Sequence, residues 1–253
     1  YRAILRGMTQ DKDPEVVSMA AVELARFGEK IPSAVVDRIK EFLLGVQGMS
    51  SRVTTILYSI SAMGEDSIRV YEALTEHSSS QMRKVAWQRY VSLSAAWNKP
   101  EIWMRAMEDR DKTVREAVLI SLRGRSTNLT AENMQALVDS KYADVRIFAG
   151  QSLLTANPEL IEEFGFDLLI DEDTIVRSTT IRAMASRRTP GWLKVMSRSL
   201  LDEDFVIQRA AMDGLLAGGP EGVRALREFV SKNPRNRISS LASSELRIRG
   251  VQP

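Results

Sequence analysis

Apolar and small residues recur four positions apart along much of the chain, a spacing that places them on one face of an α-helix. One such stripe consists of Val114, Val118 and Leu122. Two further stripes are Val145, Ala149 and Leu153, and Ile207, Ala211 and Leu215. The segments between the stripes also have helical spacing, so the pattern predicts a chain of paired helices.

The stripes keep a nearly constant register. We mark each copy at the residue that follows its first core aliphatic residue. The mark residues are Val17, Val53, Arg83, Arg115, Arg146, Arg177, Gln208 and Ser239. Their separations are 36, 30, 32, 31, 31, 31 and 31 residues. This regularity predicts a repeat protein, in which each repeat is buried by its neighbours.

Residues that favour the start of a helix precede both helices of a repeat. The first helices follow Pro32, Pro100, Thr130, Pro158, Pro190 and Pro220, and the second helices follow Asp13, Asp111, Asp173 and Asp204. Pro fits the first helical turn and Asp is a good N-cap, so each repeat is predicted to be an antiparallel hairpin. A second stripe of small residues predicts close contact between neighbouring helices; it contains Ser121, Ser152, Ala183 and Gly214.

These patterns predict an all-α fold, a right-handed α-α superhelix of about eight helical hairpins. The whole chain, residues 1–253, is predicted to be a single repeat domain. The expected repeats are approximately 1–28, 29–64, 65–97, 98–125, 126–157, 158–188, 189–219 and 220–253.

The composition narrows the chemistry that the chain can perform. The absence of Cys excludes disulfides and thiolate chemistry, and the one histidine, His77, lies after a helix, where it favours the helix C-terminus. The acidic clusters at 171–173 and 202–204 lack calcium-loop spacing and precede helices, so they are predicted to be caps. We therefore expect no catalytic residue, no metal and no cofactor.

An Asp in the turn, followed by a Val-Arg-like pair, an Ala and a Leu, resembles the HEAT repeat, most closely the short bacterial HEAT-like type also seen in phycobilin lyases. The resemblance covers almost the whole chain. It implies a stacking ladder between repeats, formed by the turn Asp and the Arg of the second helix. The matching residues are Asp111 with Arg115, Asp173 with Arg177, Arg146 without an Asp in its turn, and Asp204 without an Arg at its mark.

The resemblance also implies that the second helices line a concave surface. Positions one, four, five and eight after each mark are predicted to be exposed there. The partner-binding candidates are Tyr58, Trp87, Gln88, Ile120, Ile147, Gln151, Arg182 and Arg209. The alternative interpretation of the four-after positions, Trp87 among them, is burial between adjacent repeats.

The favoured function is a non-catalytic scaffold that binds a protein or peptide partner on this surface. One alternative is a nucleic-acid-binding protein related to HEAT-like alkylpurine DNA glycosylases. From Thr174 to Pro253, 14 Lys or Arg stand against 7 Asp or Glu, a balance of +7, and the chain offers Trp87, Trp97, Trp103 and Trp192 for stacking. A further alternative is a phycobilin-lyase-like chaperone.

The sequence also bears on membranes and compartment. No apolar run approaches the roughly 18 residues of a membrane-spanning helix, so no span is predicted. The chain starts inside a helical pattern without an initiator Met, which is compatible with an excised piece. The cytoplasm is favoured, with the periplasm as the alternative if a signal has been trimmed, and the oligomeric state stays open.

Overall fold

The computed structural model describes residues 1–93, 98–122 and 129–252, and within them the secondary structure is entirely helical. Sixteen α-helices and one short 3₁₀ segment lie in these ranges, and no strand does. The predicted all-α class is therefore confirmed. The chain divides into two compact units, Tyr1–Asn128 and Leu129–Pro253, which we call the first and the second unit. The single domain over 1–253 stays a prediction.

The first unit contains four helical hairpins. Its first helices are α1 (Arg2–Met8), α3 (Ser33–Gly45), α5 (Glu65–Leu74) and α7 (Pro100–Met107). Its second helices are α2 (Pro14–Arg26), α4 (Ser51–Ser59), α6 (Ser80–Leu93) and α8 (Lys112–Leu122). The 3₁₀ segment Ile60–Met63 extends α4. Among the second helices α2 packs on α4 and α6 on α8, and a contact between Arg89 of α6 and Tyr58 of α4 links the two pairs into a layer. In the layer of first helices α3 packs on α5.

The second unit contains four more hairpins. Its first helices are α9 (Ala131–Val138), α11 (Pro158–Leu169), α13 (Trp192–Ser199) and α15 (Pro220–Lys232). Its second helices are α10 (Ala143–Ser152), α12 (Thr174–Arg187), α14 (Phe205–Ala217) and α16 (Arg237–Ile248). Here α10, α12, α14 and α16 pack in succession, and α9 packs on α11 and α13 on α15.

The buried residues follow the predicted stripe. All nine residues of the three stripes given above are at most 2% exposed. Each hairpin lies within its predicted repeat, and the first helices begin at or within two residues of the predicted start signals. Thr130 forms a capping box with Asn133, in which each side chain binds the backbone N–H of the other residue.

Small residues allow close helix contacts in the second unit, as predicted for Gly214. A Cβ added to Gly214 would lie 2.8 Å from the Cβ of Ala185, so α12 and α14 meet nearly backbone to backbone. A Cβ added to Gly150 would lie 2.9 Å from the Thr180 hydroxyl oxygen, between α10 and α12. Both positions depend on the missing side chain, because real Cβ atoms essentially never approach so closely.

Candidate functional site

In six of the eight hairpins the mark residue stabilises the turn between the two helices. From the third repeat onward, the side chain at the mark donates a hydrogen bond to the backbone carbonyl six residues earlier, at 2.7–2.9 Å. The donors are Arg83, Arg115, Arg146, Arg177, Gln208 and Ser239, and the acceptors are the carbonyls of His77, Asp109, Ser140, Asp171, Asp202 and Asn233. Buried carbonyls need such partners, so the mark position favours a polar side chain within an otherwise apolar register.

Two of these arginines also bind the next repeat through both arms of the guanidinium. Arg83 donates to Asp109 at 2.7 and 2.9 Å, and Arg146 donates to Asp171 at 2.7 and 3.1 Å. Each of these side chains is about one-tenth exposed. Burial alone would raise the pKa of Asp109 and Asp171, but the hydrogen bonds from the arginine and the backbone hold each pKa below its usual value.

The predicted ladder therefore uses different carboxylates from those expected. Asp111 and Asp173 cap the following helices instead, because each accepts a backbone N–H two residues later, from Thr113 and Ile175. Hydrogen bonds from the hydroxyls of Ser80 and Thr113 and from the Thr113 backbone lower the pKa of Asp111 to about 2. In these two Asp-x-Asp turns the first Asp, Asp109 or Asp171, faces the preceding arginine and the second begins the helix.

The last predicted ladder carboxylate, Asp204, combines both roles. It caps α14 by accepting the N–H of Val206 at 2.8 Å, and it also accepts the Thr174 hydroxyl at 2.7 Å. Arg177 lies 3.9 Å from the same carboxylate. Arg115 binds its own turn, at the carbonyl of Asp109.

His77 has a structural place in this turn network. It occupies the position of Asp109 and Asp171 in their turns, and its Nδ1 accepts the N–H of Ser79 at 3.0 Å. Its carbonyl accepts Arg83, and its side chain is buried at 4% exposure. The histidine thus holds a turn at the end of α5, as its position in the sequence suggested.

The outer face of the second helices in the first unit carries exposed apolar side chains. Tyr58 of α4 is 44% exposed and Ile120 of α8 is 57% exposed. Gln88 of α6 is half-buried at the same register. These residues all lie five after their marks, about 160° from the centre of the core stripe at about 100° per residue. We call the surface formed by Tyr58, Gln88, Arg89 and Ile120 the α4–α6–α8 face.

Trp87 does not belong to this face, and its predicted exposure is wrong. It is 2% exposed, packs against Tyr90 at a centroid distance of 6.0 Å, and has the Arg105 guanidinium 5.8 Å from its ring. Its position, four after the mark, lies only about 100° from the stripe centre, on the flank that contacts the neighbouring helix. Leu57, Ile181 and Met212, at the equivalent position, are at most 1% exposed. The alternative of burial between repeats therefore holds for these residues.

Arg89 is a member of the α4–α6–α8 face that the sequence did not indicate. Its guanidinium lies 4.9 Å from the centre of the Tyr58 ring, a cation–π contact between α6 and α4. Tyr71 lies close by, with its hydroxyl donating to the Leu57 carbonyl. Burial raises the pKa of the Tyr71 hydroxyl, and the Arg89 charge opposes that shift. Arg89 stands six after its mark, where no other repeat has an arginine.

The second unit presents a more polar surface at the corresponding positions. Gln151 and Arg182 are exposed, and Ile147 is half-buried. Arg209 binds Asp213 at 3.0 Å on its own helix, so part of the predicted basic surface is internally neutralised.

A second exposed apolar region lies at the turns of the second unit and was missed in the sequence. It comprises Ile170, Ile175, Leu201 and Val206, which are 82%, 49%, 59% and 41% exposed. Ile170 and Leu201, and likewise Ile175 and Val206, are 31 residues apart. Because these apolar pairs recur at the repeat period but outside the core register, the sequence did contain a signal for this exposed region.

The burial of the tryptophans and the placement of the acidic residues bear on nucleic-acid binding and on metal binding. Trp87, Trp103 and Trp192 are at most 6% exposed, so they offer no stacking surface for bases, and Trp97 lies outside the described residues. No group of three or more His, Asp or Glu side chains that could hold a metal occurs within 1–93, 98–122 and 129–252. In the same ranges, no helix is long and apolar enough to cross a bilayer.

Stacked hairpins, a polar mark residue in most turns and an exposed outer face together define a helical-repeat protein. No family model and no curated protein matches the chain. The X-ray structure of YibA from E. coli is similar, with a TM-score of 0.55 and 16% identity over 97% of this chain and 92% of that one.

Two further solved structures match at lower similarity. The complex of CpcE and CpcF of phycocyanin lyase from Nostoc has a TM-score of 0.27 and 15% identity over 96% of this chain and 92% of that one. An engineered protein has a TM-score of 0.26 and 18% identity over 86% and 97%. Identities this low bear on fold alone, and the HEAT-like relationship stays a resemblance.

Proposed function

We propose that the protein is a non-catalytic scaffold that binds a partner protein through the α4–α6–α8 face. The observation that carries this proposal is the exposure of Tyr58 and Ile120 at the same register of two helices in one layer. Exposed apolar side chains cost free energy in water, and clusters of them with aromatic residues and arginine are typical of protein interfaces. The HEAT-like resemblance favours the same function.

Replacing these two side chains tests the proposal. The variant Tyr58→Glu/Ile120→Glu places charges where a partner would bury apolar surface, and surface substitutions of this kind change folding stability by only about 0.5 kcal/mol. Leu44→Glu is the matched control, because Leu44 is 42% exposed on the first-helix layer. The readout is quantitative mass spectrometry of proteins captured from a lysate of the source organism.

We expect a defined set of captured proteins to fall at least tenfold with the double variant and to persist with the Leu44→Glu control. Circular dichroism would show the same helicity for all three proteins. Equal capture by wild type and double variant would contradict the proposal. Loss of helicity would show that Tyr58 and Ile120 belong to the core.

Nucleic-acid binding remains the second candidate because Arg182 is exposed and the last third of the chain is basic. The neutralised Arg209 and the buried tryptophans argue against it. Fluorescence anisotropy with duplex and single-stranded DNA at about 50 and 200 mM salt tests whether the protein binds nucleic acid. Tight binding that falls steeply with salt would favour phosphate contacts over a protein partner.

A further inference from the structure

Arg89 is a cation without a carboxylate partner on the α4–α6–α8 face. Among the described residues no Asp or Glu lies within ion-pair distance of it, and the segments 94–97 and 123–128 contain no acidic residue. Its Nε is buried and has no hydrogen-bond partner. Of the three guanidinium nitrogens only Nε is a buried atom without a hydrogen-bond partner, so an acceptor from a partner has to bind Nη1 and Nη2.

Two acidic residues on the helices that pack against α6 already have partners. Glu72 of α5 accepts the Tyr90 hydroxyl at 3.2 Å, and Glu116 of α8 binds Lys112 at 3.4 Å. Lys84, one after the mark of α6, is exposed on the same side of that helix as Gln88. The face therefore carries a surplus of positive charge beside the apolar Tyr58 and Ile120.

We propose that the α4–α6–α8 face binds an acidic, apolar segment of its partner, with a partner carboxylate on Arg89 and apolar side chains on Tyr58 and Ile120. This inference rests on the proposed scaffold function. The planar guanidinium can bind a carboxylate through two parallel hydrogen bonds, and the Tyr58 ring holds it in a fixed orientation. The apolar contacts supply affinity, and the arginine selects segments that carry Asp or Glu.

The test selects ligands for the face from a random peptide library. A random 12-residue peptide library displayed on phage is selected on the immobilised full chain, with parallel selections on Arg89→Met and on Tyr58→Glu/Ile120→Glu. We expect the wild-type selection alone to enrich peptides in which Asp or Glu is flanked by aliphatic or aromatic residues. The enriched peptides are then synthesised with a fluorescein label for anisotropy titration.

The affinity of these peptides is expected to fall about tenfold with Arg89→Met, because a charge-assisted hydrogen bond is lost. Arg89→Lys keeps the charge without the planar fork and should lose less. Arg110→Ala is the matched control, since Arg110 is exposed in the turn before α8 and away from the face, and it should leave affinity within about twofold. Thermal melts confirm that each variant is folded.

Three outcomes would overturn the inference. Peptides that bind the face without an acidic residue and regardless of Arg89 would overturn it and leave the scaffold function intact. Displacement of the peptides by an equimolar dT oligonucleotide would show that Arg89 binds a phosphate group and not a partner carboxylate. Identical selections from wild type and from Tyr58→Glu/Ile120→Glu would overturn both this inference and the proposed function.

Discussion

The two units build the same hairpin with different side chains. In the second unit all four mark residues donate to the carbonyl six residues earlier, whereas in the first unit Val17 and Val53 have no side-chain donor. The described glycines of the first unit, Gly7, Gly28, Gly45, Gly48 and Gly64, have no heavy atom within 4 Å of an added Cβ. In the second unit such contacts occur at Gly150, Gly165, Gly214, Gly218, Gly219 and Gly222.

The two units therefore differ in how they use their polar and small side chains, either in contacts between helices or at the surface. The regular repeats of the second unit use their polar and small residues for internal contacts, and the charge of Arg209 is neutralised on its own helix. The less regular repeats of the first unit leave Tyr58 and Ile120 exposed, with the half-buried Arg89 against the Tyr58 ring. Of these three residues only Arg89 departs from the pattern of the other repeats, whereas Tyr58 and Ile120 occupy its regular outward position.

The largest expected effect is at the Arg146–Asp171 ion pair. Arg146→Met keeps much of the side-chain volume but leaves a largely buried carboxylate without its partner, and such losses cost about 3 kcal/mol. Arg209→Met is the matched control, because both side chains of the Arg209–Asp213 pair are more than 40% exposed and such pairs contribute less than about 1 kcal/mol. Urea unfolding followed by circular dichroism measures both free energies.

The same pair predicts a pH dependence. The arginine and backbone hydrogen bonds lower the pKa of Asp171, so the stability that it contributes is present above its unfolded pKa of about 3.9 and is lost as the pH falls through the lowered value. In Arg146→Met, burial raises that pKa, and protonation relieves the unpaired charge. The difference between wild type and variant should therefore narrow from about pH 7 to about pH 4; a constant difference would contradict the ion-pair explanation.

The next largest effect on stability is expected from adding a side chain at a glycine of the second unit. A Cβ at Gly222 would lie 2.1 Å from the carbonyl oxygen of Leu215, so Gly222→Ala must separate α15 from α14 and should cost about 2 kcal/mol. Gly45→Ala is the control in the first unit, because an added Cβ there has nothing within 4 Å and Ala favours a helix by up to about 1 kcal/mol. Equal effects on the melting temperature would show that the two units do not differ in packing.

The sequence predicted the repeat period, the core stripe and the helix starts because each depends on residues close together in one helix or turn. It left the burial of Trp87 open as one of two interpretations, since that burial depends on the neighbouring helix against its flank. It also missed Arg89, whose contact with Tyr58 joins two repeats. The exposure of Tyr58 and Ile120 followed from helical geometry alone, because they lie nearly opposite the core.

The smallest expected effect distinguishes the two carboxylates of an Asp-x-Asp turn. Asp173 accepts the N–H groups of Ile175 and Val176, and Asn caps helices as well as Asp does, so Asp173→Asn should change the free energy of unfolding by no more than about 0.5 kcal/mol. Asp171→Asn removes the charge that faces Arg146 and should cost several times more. Chemical denaturation of the two variants measures both. A larger cost for Asp173→Asn than for Asp171→Asn would contradict this assignment. It would show that Asp173 forms the ladder contact between repeats, as the HEAT-like resemblance implies, and that Asp171 only stabilises the turn.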